Sequence, residues 1–377
     1  MRREAIEAML PFLDGQFANP SGSHRFARQA RAALDDAREV VADVVGCEPG
    51  DVVFTGGGTE ADNTAILGTV ARRGGVAVCS AAEHHAVLHA VEHVGGVVVA
   101  VDDAGVIDLD RLDAVLALAA NGDAAPVSVV SVMAVNNEVG SITDLAEVAA
   151  VVARRSAGAS TGTQRIALHT DAVQAACWVD LRTLMPHVEM MSLSGHKFGG
   201  PKGIGVLIAR SPSAFDPLLI GGGQERERRS GTQNVAGAVA LAEALRLADA
   251  ERADELVRIG ALRDRLVDAL VSALDDVRET VDRNRKVAGS AHLCLGGVES
   301  ETLLFLLDEG GVCASAASAC AAGAMEPSHV LAAMGVEREW ALGALRLTLG
   351  RTTTIDDVDR AAATIIAAVE RIRSFPS

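Results

Sequence analysis

Apolar residues fall along this chain in two alternating rhythms. Short, continuous, β-branched runs recur over its first two hundred or so positions: "DVVFT", "VAVCS", "GVVVAV", "VSVVSVMAV", "RIALHTDA", "EMMSLS" and "GIGVLIA". Between them, stretches such as 24–46 and 144–155 carry the three- and four-residue spacing of amphipathic helices. Strands that are apolar throughout are buried on both faces, so the pattern predicts an α/β fold with a large, mostly parallel sheet covered by helices. In such sheets ligands gather at the carboxyl ends of the strands. The polar residues following the apolar runs, Thr59, His84, Asn137, Asp171 and Lys197, form the first shortlist of functional positions.

After "GGGQERERRSGTQN" the rhythm changes. A helical stretch from Val235 to about Leu274 reads as a connector. Beyond it "SAHLCLGG", "GGVCASA" and "GALRLTLG" read as strands separated by helices over 299–309 and 327–334. Thr354, with Asp357 three residues on, is a capping-box pattern that opens a final helix. The expected organisation is a large domain over 8–245 and a smaller C-terminal α/β domain over 246–377, with residues 1–7 packing on the smaller one.

Composition narrows the partners. The chain has 377 residues, 49% of them hydrophobic, which is ample for a large core. A formal charge of −16 disfavours nucleic acid and anionic membrane surfaces, which require clustered Lys and Arg, so small molecules are the expected ligands. No apolar run is long enough to span a bilayer, and the Glu residues and Pro of "MRREAIEAMLPFLDG" break any signal-peptide core, so a cytoplasmic protein is expected. Cysteines 47, 79, 177, 294, 313 and 320 are scattered without CxxC pairs and read as reduced thiols.

Positive charge is carried almost wholly by Arg, yet two of the three lysines lie in "SLSGHKFGGPKG". A desolvated Lys can lose its proton and act as nucleophile, base or Schiff-base partner, as Arg cannot. In "TGGGTEADNTAILG" the glycines 56–58 are either a phosphate-binding helix start or a plain turn. In "LHTDAVQ", Asp171 is either a helix cap or the partner of a cationic ring nitrogen. Neighbouring strands lie about 5 Å apart, so Asp171 and Lys197 can face opposite ends of one flat ring. Pyridoxal 5'-phosphate is such a ring, with an aldehyde for Lys, a pyridinium for Asp and a phosphate for the glycine turn. His85, His89 and His93 have helical spacing compatible with a metal, but neither H-E-x-x-H nor a Cys cluster accompanies them, and no metal is expected. Cys320, in "CASAASACAAGAMEP", is either a small buried hydrophobe in a turn or a thiol on a mobile small-residue segment.

In chain order, "FTGGGTEADN", "VNNEVG", "SGHKFGGPKGIGVL", "GGGQERERRSGTQN" and "SACAAGAMEPSHVL" resemble the motifs of cysteine desulfurases, enzymes of pyridoxal-phosphate fold type I and the class V aminotransferase-like group. The resemblance runs from Asn19 almost to the C-terminus. It implies that Lys197 is the Schiff-base lysine, that Asp171 pairs with the ring nitrogen, that Gln174 bonds the ring hydroxyl and that His84 stacks on the ring. Thr59, Ser194, His196 and the backbone at Gly58 would hold the phosphate, joined by Thr232 from the other subunit of a homodimer. Asn137 and Arg346 would grip the substrate carboxylate, with Arg351 a weaker candidate. The implied reaction removes sulfur from L-cysteine, gives L-alanine and leaves a persulfide on Cys320 for a sulfur-acceptor protein, as in iron-sulfur cluster or thio-cofactor assembly.

A selenocysteine lyase or another class V lyase would keep the same cofactor residues. A non-catalytic sulfur-relay scaffold has no need of Lys197, Asp171 and Cys320 together, and a nucleotide-binding dehydrogenase would carry a complete dinucleotide fingerprint, which is absent. Two departures from the family pattern stand out. The N-terminal "LDxxATTP"-like segment is missing, and Ala321 follows Cys320 where the family usually has a hydroxyl residue.

Overall fold

All seven early apolar runs become strands of one sheet: β1 Val52–Thr55, β2 Val76–Ser80, β3 Val97–Val99, β4 Val127–Ser131, β5 Ala167–Asp171, β6 Met190–Ser194 and β7 Gly205–Ala209. The computed structural model describes residues 1–157, 165–211, 214–316 and 327–374. Strand order is β1-β7-β6-β5-β4-β2-β3. Pairing is parallel from β3 through β2, β4 and β5 to β6, where helical connections return the chain to the same end each time. β7 runs antiparallel to both β6 and β1, because the link from β6 is short and contains no crossover helix. Every residue of β1, β4, β5, β6 and β7 is buried, as continuous apolar runs require.

Helices cover the sheet with stripes of small and branched side chains. Arg25–Val45 starts where the His24 ring accepts from the Ala27 N–H and stops at Gly46, whose φ of 79° is left-handed and costs glycine little. Gly58–Arg73 buries Ala61, Ala65 and Ile66 in a cluster with Val53, Val129, Met190 and Leu207. Each large side chain so buried contributes about 1.5–3 kcal/mol. No helix among the described residues is long and apolar enough to cross a membrane.

Contacts divide the chain into two units, the first made of Met1–Val99, Asp108–Ala134 and Thr143–Arg252, the second of Ala100–Ile107, Val135–Ile142 and Ala253–Ser377. The helix Val235–Ala273 is continuous, so no break in the chain marks the boundary within it. Residues 1–7 lie in the first unit, where Arg2 is buried, its N–H donates to Gly199 O at 2.7 Å, and its guanidinium donates to Glu251 at 2.8 and 2.9 Å. A buried Arg needs such an acid partner, and Glu251 supplies it.

Two short segments, 100–107 and 135–142, join the second unit through Arg285, which donates to Asp102 at 2.6 Å and accepts, at its carbonyl, from the Ile142 N–H at 2.9 Å. The second unit holds an antiparallel sheet ordered β10-β9-β8, with β8 Val277–Glu279, β9 Ser290–Leu295 and β10 Ala344–Thr348. "GGVCASA" is not a strand among its described residues; Ser315 alone pairs with Arg346 as an isolated bridge. β8 is too short and too charged to show in the apolar pattern. The capping box forms at the head of Ile355–Arg373, with Asp357 N–H donating to Thr354 Oγ1 at 3.2 Å and Thr354 N–H to Asp357 Oδ2 at 3.0 Å.

Gly205 is where β7 is pressed hardest against the turn after β1. A Cβ there would lie 2.6 Å from the Gly57 carbonyl carbon and 2.7 Å from the Leu193 oxygen, both backbone atoms that cannot swing aside. Gly205→Ala is therefore expected to cost about 1–3 kcal/mol. Urea unfolding checks this, and a midpoint equal to the parent's would show that the strands separate freely at this point.

Candidate active site

β1 delivers the chain into Gly56 and Gly57, and the helix Gly58–Arg73 begins with no side-chain cap. Its first N–H groups and the positive end of its dipole make an anion site. Gly58 keeps this junction open, since a Cβ would lie 2.8 Å from Val173 Cγ2 and 3.4 Å from Ser194 Cβ and would force Val173 to shift. The resulting cup, a cavity of about 670 Å³, is lined by Gly56 to Gly58, Thr59, Asn63, Ser194, His196 and Lys202. Ser194 Oγ lies 3.0 Å from His196 Nδ1. Partial burial, then the charges of Lys197 and Lys202, lower the pKa of His196. Lys202 was absent from the sequence shortlist, although its place in the same lysine-bearing stretch is the signal that could have found it.

β5 and β6 are parallel neighbours, with Asp171 opposite Ser192. The turn Gly195–Lys197 follows β6 directly and leaves Lys197 exposed within electrostatic reach of buried Asp171. Asp171 Oδ1 accepts from the Val173 N–H at 2.8 Å. Burial pushes the Asp171 carboxyl up to about 6, against the lowering effect of that N–H and of Lys197. Deeper in the same unit, His169 bridges Ser131 Oγ at 2.8 Å and Ser192 Oγ at 2.9 Å, with Asp62 Oδ1 at 3.7 Å from its Nε2. Burial holds the His169 imidazole neutral, down at about 3.

Two further carboxyls lie close enough to influence these groups. Burial, aided by the Asp171 charge, raises Asp62 well above the carboxylate range. Burial lifts Glu83 to about 8 even though the Met133 N–H at 2.8 Å and Ser80 Oγ at 2.9 Å both donate to it. Three carboxyls raised together describe a pit short of positive charge. A protonated ring nitrogen would supply that charge, and the cup would take a phosphate, so the donor set fits pyridoxal phosphate.

The other predicted residues are distributed over both units. Gln174 is half-buried in the turn after β5, and exposed His84 heads the helix His85–His93, its Nδ1 accepting from the Ala86 N–H at 3.1 Å. Thr232 is exposed in the loop beyond Gly221 to Gly223. Within the second unit, Arg346 Nη1 donates to Asn137 O at 3.0 Å, while the buried Asn137 Oδ1 has no hydrogen-bond partner among the described residues. Buried polar atoms are nearly always bonded, so this oxygen stands out. Arg351 is exposed, and its carbonyl is occupied by Arg258. Cys320 lies outside the described residues. Of the other thiols, Cys79 and Cys294 are buried, Cys47 and Cys177 partly buried, and Cys313 exposed.

The family model for aminotransferase class-V matches residues 1–361. The chain belongs to the class-V aminotransferase family. Among class-V relatives, the IscS-like cysteine desulfurase of Mycobacterium tuberculosis is 40% identical, covering 99% of this chain and 94% of its own length. A cysteine desulfurase IscS from Methanosarcina thermophila is 37% identical, covering 100% of this chain and 91% of its own. The solved structure of a NifS-like protein superposes with a TM-score of 0.88 at 30% identity, covering 98% of this chain and 96% of that one. A structure described as SspA in complex with cysteine has a TM-score of 0.75 at 28% identity, covering 93% and 95%.

Glu83 gives the class-V pit a measurable pH signature. Its folded value of about 8 lies above the ordinary 4.5, so the protonated form stabilises the fold below about pH 4.5 and that stabilisation is lost as pH rises through 8. Glu83→Gln keeps the neutral form at every pH. In cofactor-free protein the variant should gain on the parent between pH 5 and 8, by at most about 1.4 kcal/mol per pH unit. Urea midpoints at the two pH values test this; a difference independent of pH would contradict a neutral Glu83.

Proposed function

We propose that this chain is a cysteine desulfurase that holds pyridoxal 5'-phosphate in its first unit, takes sulfur from L-cysteine and releases L-alanine. The observation that carries the reading is the joining, within one unit, of an uncapped glycine-turn helix, an exposed Lys197 and a buried Asp171 in a carboxyl-rich pit. Supporting it are a 40% identical relative named a cysteine desulfurase and a structurally similar protein solved with cysteine.

The division of labour follows from the side chains. Gly58 N–H, Thr59, Ser194 and His196 bind the phosphate, with Lys202 adding charge at the rim. Lys197 would be the covalent anchor, Asp171 the partner of the ring nitrogen, Gln174 that of the ring hydroxyl, and His84 would stack on the ring. Bound there, the cofactor supplies an electron sink for the electrons left at Cα. The Lys197 amine would be the base that takes the Cα proton. In the second unit Arg346 holds a carboxylate with the paired geometry that guanidinium offers, assisted by Asn137. The Cys320 thiolate attacks the substrate sulfur, so that L-cysteine and the Cys320 thiol give L-alanine and a Cys320 persulfide. A sulfur-acceptor protein removes that sulfur. The enzyme works as a cytoplasmic homodimer in which Thr232 completes the partner subunit's phosphate site.

Two experiments test this. The purified protein should be yellow and give a borohydride-stable adduct at Lys197, and Lys197→Ala should lose both; an adduct at another lysine would refute the assignment. Cys320→Ser should still bind cofactor and still change its spectrum with L-cysteine, while alanine formation falls by about 100-fold or more, as for loss of a nucleophile. Mass spectrometry should find persulfide on the Cys320 peptide and not on that of Cys313. Turnover by Cys320→Ser at the parental rate would mean elimination without an enzyme thiol.

A further inference from the structure

The loop from Gly221 to Gln233 is held in a conformation its own residues disfavour. Glu225, Arg226 and Glu227 have φ of 49°, 58° and 66° in succession, a left-handed run that side chains other than glycine avoid. Glycine would relieve the strain but could not make the contacts found here. Arg226 and Arg228 both donate to Gly50 O, at 3.0 and 2.7 Å. Arg229 Nε donates to Glu60 Oε1 at 2.8 Å, and Glu60 Oε2 accepts from the Gly56 N–H at 2.8 Å, on the rim of the phosphate cup.

One carboxylate opposes the strain. Glu225 is only 4% exposed and takes donors from three parts of the first unit: both Nη atoms of Arg38 at 2.9 and 2.8 Å, the Phe54 N–H at 3.0 Å and Gln233 Nε2 at 3.0 Å. Burial works to raise its pKa, yet Arg38, Gln233 and the Phe54 N–H hold it below the usual range. Arg38 comes from the helix Arg25–Val45, Phe54 from β1 and Gln233 from the loop's far end. The carboxylate therefore pins both ends of the wound segment to the strand that leads into the cup.

We propose that Glu225 is a positioning residue of the cofactor site: it winds loop 221–233 so that Arg229 braces the Gly56 rim through Glu60 and Thr232 is presented to the phosphate held by the partner subunit. The second half of this rests on the reading of the chain as a dimeric pyridoxal-phosphate enzyme; the winding itself rests on the contacts around Glu225.

The test uses the pyridoxal-phosphate holoenzyme. Glu225→Gln leaves Arg38 buried without its charge partner and can unfold the protein, so the charge-free double variant Arg38→Met/Glu225→Leu accompanies it. Tryptic cleavage after Arg226, Arg228 and Arg229 is timed by mass spectrometry, and cofactor loss to a trapping agent is followed by absorbance. In a variant that melts as the parent does, loop cleavage and cofactor loss should each accelerate about tenfold or more, since an unwound loop is open to protease. Arg229→Gln, which removes only the brace, should speed cofactor loss without speeding cleavage after Arg226. A folded double variant with a resistant loop and unchanged cofactor loss would overturn the proposal. So would global unfolding of both Glu225 variants, which would make Glu225 a residue of the fold and not of the site. If the parent holds no pyridoxal phosphate, the functional reading fails, and loop cleavage alone decides whether Glu225 winds the loop.

Discussion

A carboxylate buried at the end of an otherwise apolar strand is expensive, and much of the first unit is arranged around that fact. Asp171 lies at the carboxyl end of β5 with the Val173 N–H bonded to Oδ1 and the Lys197 charge favouring its ionised form. Two further carboxyls, Asp62 and Glu83, are buried within electrostatic reach of it, so each makes ionisation of the others harder. A neutral His169 and its serine partners satisfy hydrogen bonds there without adding charge. Burial pushes Asp62 and Glu83 toward the neutral form, which costs less to bury than the ionised one.

The first unit was largely legible in the sequence because its signals are local. Seven apolar runs named seven strands, and the residues after them named Asp171, Lys197 and the glycine turn. Less is legible where structure depends on contacts distant in the chain. Residues 1–7 carry no pattern that reveals Arg2 pairing with Glu251, and nothing in 100–107 or 135–142 announces that Asp102 and Ile142 will bind Arg285. "GGVCASA" has strand-like composition but forms only an isolated bridge at Ser315 among its described residues, while "VRE" pairs as β8 despite its charge. Neither outcome could be read from periodicity, since short strands take their identity from neighbours.

The site residues divide in the same way. Glycine, lysine and the strand-end acids are visible because their chemistry is unusual for their positions. Glu60 and Glu225 are not, because charged residues in polar loops are ordinary until a structure shows what they touch. The carboxylate of Glu225 meets donors from positions 38, 54 and 233, a convergence with no sequence signature.

The antiparallel seat of β7 between β6 and β1 also sets the order in which the molecule can be built. β6 and β7 are close in the chain and can pair early, but β1 reaches β7 only by closing a loop that contains nearly the whole of the first sheet. Closing long loops delays folding more than it weakens the folded state. The phosphate cup is made from Gly56 to Thr59 just after β1 and from Ser194 to Lys202 between β6 and β7. It cannot exist before that closure. A ligand held in this cup would recognise only chains whose sheet is complete, and by mass action would draw the folding equilibrium toward them.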